Sequence, residues 1–76
     1  MAYNYDEESV YALIKWAETA NLPQEVTLSP AEHITDTRIY VRANICDIKQ
    51  HYPDGFYNPA IDRLYRLKEF VEGVTK

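Results

Sequence analysis

Seventy-six residues with 46% hydrophobic and 26% charged side chains, two Gly and four Pro make one small globular domain. That composition excludes collagen-like, low-complexity and intrinsically disordered chains. One Cys excludes a disulfide framework and a multi-thiolate zinc site, and a net charge of −4 argues against a surface devoted to phosphate.

The periodicity predicts a first helix over residues 6–20. Val10, Leu13, Ile14, Ala17 and Ala20 recur at helical spacing, with Ala12 and Trp16 widening the stripe. Asp6, Glu7 and Glu8 fall in its first turn, where the helix dipole favours negative charge. Tyr11 lies on its polar back and is expected to be exposed. Asn21-Leu22-Pro23 ends it, and a connector follows in which Leu22, Val26 and Leu28 tuck against the core; Glu25 to Leu28 is the one short stretch with an extended pattern.

Ser29-Pro30-Ala31-Glu32 matches a capping box with Pro at the first helical position, so a second helix is expected over 30–51, with a kink or restart at Thr35-Asp36-Thr37 as the variant. Its main apolar stripe is Ile34, Val41, Ile45, Ile48 and Tyr52. A second stripe, Ile39, Ala43 and Cys46, lies about 150° away at 100° per residue. Pro53-Asp54-Gly55 reads as a turn. Asn58-Pro59 repeats the cap-then-proline start, and a third helix over 59–72 carries Tyr57, Ala60, Ile61, Leu64, Leu67 and Val71 on its inner face, with Gly73 as the stop. Three helices of this length joined by short connections predict an all-α, compact three-helix bundle forming a single domain over 1–76.

The chemistry-bearing residues are few. His33 and His51 stand 18 residues apart with no ligand partner one turn away, and both are expected on the same rim of the second helix beside Asn44 and Asp47. Cys46 has no His one turn away and is expected to be buried as a small hydrophobe. There is no phosphate-binding Gly-rich loop and no nucleophile elbow, so neither an enzyme nor a cofactor is expected. The first nine residues are acidic and lack a secretory signal pattern, and no apolar run approaches the roughly 20 residues that span a bilayer. A cytoplasmic protein with no membrane partner is therefore expected.

Charge is distributed unevenly. Residues 1–36 hold seven acids against Lys15, and residues 37–76 hold seven bases against five acids, giving −6 and +2. Arg38, Arg42 and Lys49 form a ridge at spacings of four and seven on the second helix, and Arg63 and Arg66 project from the third. Arg66 has local partners in Asp62 and Glu69. Ten aromatic residues, seven of them Tyr, include Tyr52, Phe56 and Tyr57 around the second turn, where they suit plugging of the bundle end. Tyr11, Tyr40 and Tyr65 fall outside the main stripes.

The runs Asp36 to Pro53 (DTRIYVRANICDIKQHYP) and Asn58 to Lys68 (NPAIDRLYRLK) resemble small cyanobacterial proteins of unknown function. The resemblance covers about half the chain. It implies a bacterial, cytoplasmic setting and carries no catalytic or ligand residue with it.

These features point to a module that binds another protein, or a second copy of itself as a homodimer, through its surface. Tyr11, Ile39, Tyr40 and Phe56 are the candidate anchors; Arg38, Arg42 and Asp47 would set orientation. Ile39 with Ala43 and Cys46 marks the expected interface. The alternative is nucleic-acid binding through Arg38, Arg42, Lys49 and Arg63.

Overall fold

The computed structural model describes residues 3–51 and 58–74. The element order is α1 (Glu7–Thr19), β1 (Val26–Ser29), β2 (Glu32–Ile34), α2 (Thr37–His51) and α3 (Pro59–Val74). The fold is α+β: three helices plus a two-stranded antiparallel hairpin, and not the all-α bundle that the periodicity suggests.

Each helix begins at an Asx residue. Asp6 accepts the Ser9 amide through its carboxylate at 3.1 Å, Asp36 accepts that of Ile39 at 3.1 Å, and Asn58 accepts that of Ala60 at 2.9 Å. Each bond satisfies an amide that the first helical turn leaves without a carbonyl partner. The Ser9 bond also holds the Asp6 carboxyl below its ordinary range, because it stabilises the charged form.

The correction lies between residues 29 and 36. Ser29-Pro30-Ala31-Glu32 does not open a helix; Ser29 and Glu32 face each other across the hairpin, and Pro30-Ala31 form its turn. Ser followed by Pro also suits the first two positions of the commonest β-turn, so one local signal serves two structures. Long-range pairing decides between them. Val26 stands opposite Ile34 and both point into the core, while Thr27 stands opposite His33 on the exposed face, with Thr27 Oγ1 and His33 Nδ1 hydrogen-bonded at 2.7 Å. The register shifts between Thr27 and Ser29, the mark of a bulge. Thr37 then closes the hairpin against the connector: its amide and its hydroxyl both donate to the Gln24 carbonyl, at 2.9 and 3.0 Å. The second helix therefore starts at Thr37, seven residues later than expected, and His33 sits on β2 rather than beside His51.

The core draws on every element. Val10, Leu13, Ile14 and Ala17 of α1, Val26 and Ile34 of the hairpin, Val41, Ile45 and Ile48 of α2, and Ala60, Ile61, Leu64 and Leu67 of α3 are buried together. Ala12, placed on the apolar stripe by periodicity, is exposed. Of the stripes expected for the second and third helices, Val41, Ile45, Ile48, Ala60, Ile61, Leu64 and Leu67 are buried, Val71 is partly buried, and Ile34 is buried from β2 instead of α2. Tyr52, Phe56, Tyr57 and the Pro53-Asp54-Gly55 turn lie outside the described residues.

Three tyrosines fasten the segment ahead of α1 onto α3. Tyr3 stacks on Tyr65 with ring centroids 4.7 Å apart and planes 8° from parallel. Tyr3 donates to Glu69 at 2.6 Å, Tyr5 to Asp62 at 2.5 Å, and Tyr65 to the Asn4 carbonyl at 2.6 Å. The bond to Glu69 raises the Tyr3 phenol above its ordinary value, since the neutral form is the donor, and burial does the same for Tyr65. Asp62 and Glu69, the local partners expected for Arg66, are thus engaged by tyrosines, and Arg66 pairs across the molecule with Glu32 on β2.

Candidate functional site

A groove of about 800 Å³ opens between the C-terminal half of α1 and the outward side of α2. Ala17, Glu18, Thr19 and Ala20 form its α1 wall, Leu22 of the connector closes one end, and Val41 and Ile45 of α2 form its floor. The small side chains make the space: two methyl groups stand where larger residues would reach α2. The walls are joined across the top by the Lys49–Glu18 pair at 3.9 Å, with both side chains more than half exposed. An exposed pair of that kind contributes at most about 1 kcal/mol.

Charge lines one side. Arg38, Arg42 and Lys49 fall within about 40° of arc on α2, immediately beside Ile45. All three border the groove, with Glu18 as its acidic member. Among the described residues neither Arg38 nor Arg42 has an ion-pair partner. The groove thus has two positive charges in excess within a chain of net −4.

The predicted site residues are distributed as follows. Arg38 and Arg42 line the groove. Ile39 is 64% exposed, and with the exposed Ala43 and Cys46 it continues the α2 wall outward. Tyr11 is 56% exposed on α1. Tyr40 is half-buried against the core; its hydroxyl is buried with no hydrogen-bond partner among the described residues, and burial raises its pKa. Asp47 stands half-buried at 3.4 Å from His51. Phe56 lies outside the described residues. The fold therefore brings Arg38 and Arg42 together with Lys49, and does not bring Tyr40 to their groove.

Two expectations are corrected. Cys46 is exposed on the groove wall, where its Sγ accepts from Gln50 Nε2 at 3.7 Å. It lies on the outward stripe, well round the helix from the arc of Val41, Ile45 and Ile48 that meets the core. Asn44, expected on a rim beside the histidines, is buried: its amide donates to the Tyr40 carbonyl at 2.8 Å and its oxygen accepts from Arg63 at 3.2 Å. The basic ridge expected to run over both helices is therefore divided, with Arg63 held at Asn44 and Arg66 at Glu32. Ala17 is buried in the core and Leu22 packs against it, as the sequence suggests; that both, with Ala20, also line a groove is what the sequence reading does not show. The signal for them is the small residue at the end of an apolar stripe, which marks a place where a helix face lacks bulk.

Among the described residues no three His, Cys, Asp or Glu side chains are grouped to hold a metal ion, and no helix is long and apolar enough to cross a membrane. A family model for a domain of unknown function, DUF6965, matches residues 8–73, and the chain belongs to that family. No curated protein and no solved structure matches the chain.

Proposed function

Proceeding from membership of a family with no assigned activity, we propose that this domain is a non-enzymatic docking module that holds a segment of another protein in the groove between α1 and α2. The observation that carries the reading is the groove itself, an aliphatic floor flanked by two cationic side chains that have no ion-pair partner among the described residues. An apolar floor contributes affinity through buried area, and a charged rim sets orientation and on-rate. Ile39, Ala43 and Cys46 extend the contact surface for a partner larger than the groove. Nucleic-acid binding is less well supported, because Arg63 and Arg66 are engaged away from Arg38, Arg42 and Lys49. The cytoplasm of a bacterium, the setting implied by the resemblance to cyanobacterial proteins, belongs to the same proposal.

Site-specific photo-crosslinking tests it. A benzophenone side chain replacing Gln50, exposed on the groove's rim, should capture a discrete polypeptide in host cells, resistant to nuclease, whereas the same group replacing Glu72 on α3 should not. Capture from the α3 position alone, or nuclease-sensitive adducts at Gln50, would overturn the reading. An adduct of twice the chain mass would identify the partner as a second copy.

A further inference from the structure

Resting on the docking reading, we infer that the groove's occupant is an amphipathic helix whose flank is acidic, with carboxylates spaced to meet Arg38, Arg42 and Lys49. Three observations specify it. The α2 wall from Arg38 to Gln50 is about 18 Å long at 1.5 Å per residue, the length of roughly three helical turns. The opposite wall is Ala17, Glu18, Thr19 and Ala20; Ala17 is buried beneath it, and the partly exposed Ala20 is the small side chain that lets a helix backbone approach. The cationic residues follow one another along this wall at intervals of four and seven, about 6 and 10 Å.

Charge selects the sign of the partner. The residues ahead of α2 carry −6 and repel an acidic segment, whereas the α2 wall lies in the half that carries +2 and attracts one. Arg38 and Arg42 have no ion-pair partner there among the described residues, and Lys49 is shared loosely with Glu18. A helix with Leu or Ile along one face and Glu at positions i, i+4 and i+11 on its flank places apolar side chains over Val41 and Ile45 and carboxylates along the rim. A basic helix would meet the same floor but face the rim with like charge.

The test uses the full chain, labelled with 15N, and three synthetic 16-residue probes. They share one Leu/Ala face and carry Glu, Gln or Lys at the three flank positions; a single-stranded oligonucleotide of the same charge as the Glu peptide is the fourth probe. The Glu peptide should shift the amides of residues 17–22 and 38–50 and bind at least tenfold more tightly than the Gln peptide. Its affinity should fall as salt screens the rim, and Arg38→Glu with Arg42→Glu should abolish binding while leaving the remaining amide spectrum in place. Equal binding of the Lys peptide, binding of the oligonucleotide in preference to the Glu peptide, or no shift at the groove with any peptide would overturn the inference. If the Gln50 crosslink succeeds while the Glu peptide fails, docking stands and the acidic helix is wrong; if both fail, the docking reading falls first.

Discussion

The two sides of α2 are built differently. Toward α3 the seam is filled: Ile61, Leu64 and Leu67 are buried, Arg63 crosses to Asn44, and Tyr3 and Tyr5 fasten the leading segment over the far side of α3. Toward α1 the seam is open, with alanines on one wall, aliphatics below, and one loose ion pair across the top. On the proposed docking reading, the contrast separates two tasks in a chain that has little core to spare. Burial is most complete on α3, where Ala60, Ile61, Leu64 and Leu67 are all fully buried, and the α1–α2 side is left underfilled and charged, which suits a docking surface.

Substitutions on the two sides should therefore behave differently. The largest effect belongs to Leu64→Ala, which removes a side chain that is fully buried. We expect a loss of about 2–5 kcal/mol in urea denaturation, enough to leave much of so small a domain unfolded. Tyr65→Leu removes the stack on Tyr3 and the bond to Asn4. It should cost about 1 kcal/mol and raise amide exchange ahead of α1. A loss as large as that of Leu64→Ala would mean that the tyrosine latch is part of the core. Ala20→Leu, in contrast, fills the groove and should leave the urea midpoint unchanged or slightly higher while the Ala20-side docking is lost.

How far the sequence reveals this division follows from which contacts are local. Asp6 and Asn58 cap the helices they precede, and α1 and α3 start within a residue or two of where the pattern places them. The ridge of Arg38, Arg42 and Lys49 is legible because helical spacing alone puts these residues on one line. The hairpin is not legible in the same way. Ser29-Pro30-Ala31-Glu32 satisfies a helix start and a β-turn equally, and the choice is made by Val26 meeting Ile34 and by Thr37 meeting the Gln24 carbonyl. The partner of Arg66 follows from that choice, since Glu32 comes within reach only once β2 exists. The groove is a property of three elements together, so its α1 residues could only be read as an apolar stripe.

Two smaller effects refine the comparison. Tyr40 carries a buried hydroxyl without a partner among the described residues, so Tyr40→Phe should be neutral or stabilise by up to about 1 kcal/mol in thermal unfolding. A clear loss would mean that the hydroxyl is bonded in solution. Asp6 contributes through its charged form, because the Ser9 amide lowers its folded-state pKa. That contribution is present above the ordinary carboxylate range and fades as pH falls through the lowered folded value. Asp6→Ala should accordingly flatten the acid limb of the urea midpoint plotted against pH; an unchanged acid limb would remove the cap from the account of α1.

The separation of stability from docking is tested most directly by Arg38→Glu with Arg42→Glu, followed in one preparation by urea denaturation and by photo-crosslinking from Gln50. A wild-type urea midpoint with no groove adduct is the expected result. A midpoint lowered as far as that of Leu64→Ala, or an undiminished adduct, would contradict it.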